Sequence, residues 1–300
     1  MSEQTYKGIQ LPGKLFLIPS LLSSHPPELS HPPEVIRIIH SIRYFAVEKL
    51  HPAVQFLKRI DHPEPEFKME FYPLDKRVTA EQLSDIVRIL QQGNDVGVIS
   101  EAGCPGIADP GAELVWMCHL RGISVEVLVG PSAILLSMMA SGMNGQSFAF
   151  NGYLPVAEES RALRIKELQN RSAREDQTQL FIEAPHRNQE LLDALLQTLN
   201  SDTKLGVCWN LLAEDQQIVS KNVSDWQSGV FDEEFIRKPA MFLFQAQSLG
   251  SLDKRTSSAS QGELSDQNRS GRDRSTGDSK ARNNRNQKSG NSGYQRKKRR

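Results

Sequence analysis

Four segments of this 300-residue chain gather the residue types that hold small ligands or move protons. The first is Ser100-Glu101-Ala102-Gly103-Cys104-Pro105-Gly106-Ile107-Ala108-Asp109-Pro110-Gly111, with three glycines, two prolines and two carboxylates. Glycine lets backbone approach a ligand closely, and proline holds a loop in one shape. The second is Val129-Gly130-Pro131-Ser132-Ala133, where the Ser132 hydroxyl can cap a helix and, at the end of a strand, also touch a ligand. The third is Phe148-Ala149-Phe150-Asn151-Gly152-Tyr153-Leu154-Pro155. The fourth is Glu183-Ala184-Pro185-His186-Arg187, a carboxylate, an imidazole and a guanidinium directly after an apolar run. Taken alone, the last group favours a reading as a helix cap with a surface ion pair.

Other chemistries are disfavoured. Neither GxGxxG nor GxxxxGK[ST] occurs, which argues against nicotinamide or nucleoside-triphosphate enzymes. Cys104, Cys118 and Cys208 are far apart with no CxxC pair, so neither a disulfide framework nor a zinc ribbon is expected. His25, His31, His40, His51, His62 and His119 lack metal-ligand spacing and read as ordinary surface or core residues; no metal is expected. Residues 1–13 show no apolar signal-peptide core, and the most apolar stretch, 125–140, is broken by Gly130 and Pro131. The expectation is a soluble, cytoplasmic protein with no membrane partner.

The elements that must position the four segments alternate in type. Strands are predicted at 14–18, 44–48, 67–72, 95–100 and 124–129, then at 147–151, 178–183, 204–210 and 240–245. Helices are predicted at 79–92, 112–121, 132–141, 158–171 and 188–199. In the first of these, Leu83, Ile86, Val87 and Leu90 share a face, Thr79 and Gln82 have capping-box spacing and Gly93 supplies the stop. The pattern predicts two α/β domains with parallel strands, at 13–129 and 130–248, whose ligands gather at the carboxyl ends of strands.

The charge balance separates a third region. Lys plus Arg and Asp plus Glu are each 36, but residues 254–300 hold 14 basic and 4 acidic residues, leaving −10 on residues 1–253. Residues 249–300 are expected to be a disordered basic tail, too poor in apolar residues to form a core. Such a tail attracts nucleic acid without base choice.

The segments SEAGCPGIADPG, GPSA, FAFNGYLP and EAPHR, in this order, resemble the tetrapyrrole-methylase superfamily, and within it the branch of ribosomal small-subunit RNA cytidine 2′-O-methyltransferases. The corresponding family motifs read S-D-A-G-T-P-x-I-x-D-P-G, G-P-S-A, F-x-F-x-G-F-L-P and E-A-P-H-R, and the likeness runs from about residue 13 to 247. The resemblance implies S-adenosylmethionine in a cleft between two α/β domains, usually in a homodimer. It places Gly103, Cys104, Pro105, Asp109, Ser132, Ala133, Gly152, Leu154, Ala184 and Leu212 at the cofactor. The first domain departs from the family. Ile18-Pro19-Ser20-Leu21-Leu22 replaces T-P-I-G-N, Val47-Glu48-Lys49-Leu50-His51 replaces A-E-D-T-R, and Asn210-Leu211-Leu212 stands where the family reads E-L-T.

A sulfonium methyl group is already activated, so the enzyme's task is to align an acceptor oxygen and to receive its proton. Glu48 and His186 are the candidate acceptor-side catalytic residues, with Arg187 orienting a phosphate or an internal carboxylate. The expected substrate is ribosomal small-subunit RNA, with the basic tail assisting. A small tetrapyrrole or corrin acceptor, and a non-catalytic RNA-binding relative, are the alternatives.

Overall fold

The computed structural model describes residues 11–226 and 237–248. The basic tail expected at 249–300 lies outside the described residues.

The first half of the chain builds one parallel sheet. Its elements are β1 (Leu15–Ile18), α1 (Pro33–Ile39), β2 (Tyr44–Val47), α2 (Leu50–Arg59), β3 (Glu70–Pro73), α3 (Ala80–Gln91), β4 (Val96–Ile99), α4 (Ala112–Leu120) and β5 (Val125–Val127). Strand order is β3-β2-β4-β1-β5, every pairing parallel. Continuous apolar strands buried on both faces, such as Val96–Ile99, are what helices packed on each side require. Helix α3 forms as its pattern dictates. Its capping box is closed by Gln82 N–H to Thr79 Oγ1 (3.3 Å) and Thr79 N–H to Gln82 Oε1 (2.9 Å), and Leu83, Ile86, Val87 and Leu90 are buried.

The second half contributes α5 (Ala133–Ala140), β6 (Phe148–Tyr153), α6 (Glu158–Glu175), β7 (Thr178–Glu183), α7 (Asn188–Thr198), β8 (Lys204–Trp209), β9 (Gln217–Asn222) and β10 (Ala240–Gln245). Here the expectation of parallel strands is corrected. The order is β6-β7-β10-β8-β9, and only β6–β7 is parallel; β7–β10, β10–β8 and β8–β9 are antiparallel. The last strand enters the middle of the sheet, so Phe242 and Phe244 sit fully buried in its core. Two layers cover this sheet. Helices α6 and α7 lie over Leu154, Phe181, Trp209 and Phe242, while α5 lies with Met138 over Leu180, Cys208 and Met241. Both sheets belong to one compact unit. Among the described residues, no helix is long and apolar enough to cross a membrane.

Candidate functional site

Three neighbouring strands of the first sheet, β4, β1 and the edge strand β5, end side by side, and their following loops are tied together. Ser20 and Gly103 exchange backbone hydrogen bonds, Ser20 N–H to Gly103 O at 2.9 Å and Gly103 N–H to Ser20 O at 3.3 Å. The Ser100 hydroxyl adds a bond to Gly103 O at 3.0 Å. Gly103 itself has φ +73°, the left-handed region that favours glycine, and a Cβ there would lie 3.1 Å from Leu22 Cδ2. The Cys104 thiol donates to Pro131 O at 3.5 Å, joining the first segment to the second. Behind them, Gly130 packs against Pro19 so closely that a Cβ would fall 2.5 Å from the Pro19 Cβ. His31, fully buried, donates from Nε2 to the Pro19 carbonyl at 2.7 Å.

These loops form one side of a cavity of about 340 Å³, a size suited to a small organic ligand. Gly103, Cys104, Asp109, Ser132 and Ala133 line it from the first side, together with Leu22 and Ile134. The second sheet supplies Phe150, Tyr153, Ile182, Glu183, Cys208 and Leu211, and β10 with its approach supplies Pro239, Ala240 and Met241. Ser132 also caps α5, accepting the Leu135 N–H at 3.5 Å, so both roles open to it in the sequence are compatible.

The other sequence candidates fall nearby or elsewhere. Pro105 is buried within the first segment, while Gly152 (φ +65°) and Ala184 are half-buried; none of them is a cavity wall. Leu154 packs into the α6/α7 core, and the cavity wall beside Leu212 is Leu211. A bulge explains part of this: the β6–β7 register slips between Phe150 and Tyr153, bringing the exposed Tyr153 to the cavity and Leu154 to the core. His186 is exposed and does not line the cavity. Glu48 directly follows β2, its N–H on Ile99 O at 3.4 Å, and its Oε2 is buried without a hydrogen-bond partner.

Electrostatics single out Asp109. Burial first, then the neighbouring Glu48 carboxylate, push its pKa up to about 6, against a hydrogen bond from Ser100. Burial also raises the Cys104 thiol, so it sits in the loop as a neutral packing group. Glu183, its side chain wholly buried, accepts the Ala184 N–H at 2.7 Å and an Arg187 guanidinium N–H on the same oxygen. Arg187 therefore spends its charge on an internal carboxylate. Glu101 pairs with Lys49 at 2.6 Å, linking the loops after β4 and β2. No cluster of potential metal ligands occurs among the described residues.

S-adenosylmethionine, the cofactor implied by the resemblance, fits these walls. Gly103, which has no side chain, would let the cofactor meet its backbone, and Phe150, Ile182, Leu211 and Met241 offer an apolar bed for a purine. Among the described residues, no lysine or arginine lines the cavity, so its wall would not oppose the cofactor's positive sulfonium and ammonium groups.

Comparison with known proteins points the same way. The family model for tetrapyrrole (corrin/porphyrin) methylases matches residues 33–226. The chain is 30% identical to the ribosomal RNA small subunit methyltransferase I of Pasteurella multocida (strain Pm70) over 176 residues, 59% of this chain and 61% of that one. It is also 30% identical to the same-named protein of Thermotoga maritima, over 53% of this chain and 68% of that one. The matched region thus spans about three-fifths of the length of the Pasteurella relative. The crystal structure of the methyltransferase CobJ covers 77% of this chain and 93% of its own, at TM-score 0.50 and 18% identity, a likeness of fold.

Proposed function

The chain belongs to the tetrapyrrole (corrin/porphyrin) methylase family, and from that premise we propose that it is an S-adenosylmethionine-dependent methyltransferase acting on a ribose 2′-hydroxyl of ribosomal small-subunit RNA. The observation that carries this reading is the cavity whose wall is built from Gly103, Cys104, Ser132 and Ala133, residues held together by the Ser20–Gly103 and Cys104–Pro131 contacts. The RNA substrate rests on the printed names of the relatives and on the ordered motifs.

In this reading the domains are 13–129 and 130–248, with 249–300 as a basic tail. Gly103, Cys104, Ser132 and Ala133 hold the cofactor directly. Pro105, Gly152, Leu154, Ala184 and Leu212 shape the loops and strand ends around it. Bound there, the cofactor supplies an activated methyl group. The chain's own residues position the acceptor, exclude water and receive a proton, for which Glu48 is placed directly after β2. Arg187 braces Glu183. His186, at the surface, is placed to meet an extended RNA strand and not the methyl donor.

The acidic body repels polyanions and the tail attracts them, so recruitment and chemistry are divided between regions. A second copy of the chain covers the apolar side chains that β5 and its neighbours expose: Trp116 and Leu120 on α4, Val127 on β5, and Leu135 and Met139 on α5. The place of action is the cytoplasm, where the ribosomal substrate is. Ribose-methylation mapping of small-subunit RNA from cells with and without the protein tests the reading. One site lost in the deletion is expected. An unchanged map, with S-adenosylmethionine binding intact, would turn the assignment toward a small-molecule acceptor.

A further inference from the structure

Tyr153 closes β6 just past the bulge at Gly152 and lines the cavity from the second sheet. The motif that this segment resembles has phenylalanine at the same place, so the hydroxyl is a feature of this chain. Asp109 lines the same cavity from the loop after β4 of the first sheet. The charged groups acting on the Tyr153 hydroxyl are Asp109, Glu183, Arg187 and Glu48. Those acting on Asp109 are Glu48, Glu101 and Lys76, with Ser100 as a hydrogen-bond donor.

Three of these six charges are already engaged. Glu183 is paired with Arg187, and Glu101 with Lys49. Among the described residues, neither Asp109 nor Glu48 has an ion-pair partner within 4 Å. The cavity therefore carries carboxylate charge that the protein does not neutralise, next to a phenol able to donate. That combination matches a ligand group which gives up one proton and accepts one hydrogen bond, and an alcohol hydroxyl does both.

We propose that Asp109 and Tyr153, reaching the cavity from opposite sheets, form the acceptor-hydroxyl site: Asp109 takes the hydroxyl proton, and Tyr153 donates a hydrogen bond that fixes the acceptor oxygen. The inference rests on the methyltransferase reading and moves Asp109 from the cofactor to the acceptor. The acceptor O–H bond breaks and its proton passes to the Asp109 carboxylate. The oxygen's electron pair forms the new O–CH₃ bond as the donor's S–CH₃ bond breaks, sulfur keeping that pair. A carboxylate titrating at about 6 is a base matched to neutral pH. The phenol, raised by burial and by the Asp109 carboxylate, remains protonated there and acts only as a donor. Glu48 then gives up the proton-accepting role assigned to it above and is a positioning residue, since its charge raises the basicity of Asp109.

The experiment uses the full-length protein, labelled S-adenosylmethionine and small-subunit ribosomal RNA from cells lacking this protein. Turnover is measured against pH, and cofactor binding separately by calorimetry. Y153F, which installs the motif's own residue, should fold and should lose about ten-fold in kcat with an unchanged Kd for the cofactor. D109N should lose about 100-fold or more in kcat with a similarly unchanged Kd, and D109E should recover part of it. Wild-type turnover in Y153F, or a D109N variant whose loss lies wholly in cofactor Kd, overturns the inference while leaving the methyltransferase reading in place. A wild-type protein that binds the cofactor yet methylates nothing in this RNA overturns the RNA assignment and, with it, this acceptor site.

Discussion

The buried His31 donates to the carbonyl of Pro19, and this bond is the last link of a directed chain. A carbonyl can only accept, so His31 Nε2 carries a proton; in the Nε2–H tautomer its Nδ1 accepts from the Ser30 hydroxyl at 2.9 Å. Ser30 in turn accepts from His25 Nε2 at 2.8 Å, and His25 Nδ1 accepts from the Ser23 hydroxyl at 3.0 Å. His25 is neutral in this arrangement. Burial, helped by the Arg59 guanidinium and by His31, lowers the His25 pKa and favours that state. The chain ends one residue before Ser20, the partner of Gly103. H31L should therefore weaken S-adenosylmethionine binding, measured by calorimetry, and cost about 1–3 kcal/mol in urea denaturation. H31Q, whose amide can reach the same carbonyl, should restore part of both. Unchanged cofactor binding in H31L would mean that the loop holds itself.

Gly130 tests the same junction from the other side. In G130A the new methyl would meet Pro19 Cβ at 2.5 Å and Cγ at 2.8 Å, both on a rigid ring, so the loop after β1 must move. Overpacking of this kind costs about 1–3 kcal/mol. The expected outcome is a lower Tm together with a larger cofactor Kd. A variant with wild-type values in both would show that Pro19 has room to yield.

The Glu183–Arg187 pair makes a prediction about stability. Removing the guanidinium strands a carboxylate that has no solvent exposure, and breaking such pairs costs about 3–5 kcal/mol. R187A should unfold at markedly lower urea concentration. The double variant E183Q/R187A, with no buried charge left, should recover much of the loss. Equal stability of the single and double variants would contradict this.

Asp109 makes a prediction with a definite sign. Its folded-state pKa of about 6 lies above the ordinary aspartate value of 3.8, so the folded protein holds this proton more tightly than the unfolded chain. That contribution is fully present below about pH 4 and is lost as pH rises through about 6. D109N should consequently be more thermostable than the wild type at pH 7–8, with the advantage vanishing by pH 4. Scanning calorimetry across that range decides, and a constant difference would refute it.

The tail prediction is electrostatic. Residues 254–300 carry a net +10, and each phosphate neutralised adds to the salt dependence of binding. Truncation after Leu252 should lower RNA affinity and flatten the slope of log K against log salt. Cofactor binding should be unchanged. An unaltered slope would remove the tail from RNA recruitment.

What could be read ahead of the structure followed from local patterns. The apolar runs at Val96–Ile99 and Thr178–Glu183 and the capped helix Ala80–Gln91 are visible because burial imposes periodicity on neighbouring residues. Strand β9 escaped because Gln217–Asn222 is an exposed edge strand with almost no apolar face. Helices α1 and α2 carry prolines and begin without a side-chain cap. The antiparallel half was illegible for a different reason: the pairing of β10 between β7 and β8 is a contact across many residues, not a local pattern. In the site, glycines announced Gly103 and its loop. That Tyr153, Leu211 and Met241 would form the cavity wall was illegible, because their place depends on a bulge and on that distant strand. His25 and His31 looked ordinary because a relay through serine hydroxyls has no fixed spacing.

The position of β10 also has a consequence during synthesis. Pro239, Ala240 and Met241 close the cavity, and Ala240–Gln245 is the seam between β7 and β8. The first sheet is complete once residue 127 has left the ribosome, so that half can fold early on the nascent chain. The second sheet cannot join its halves until residue 245 emerges. A nascent chain therefore carries all four motifs well before it has a complete ligand cavity, and competence arrives late, in one step.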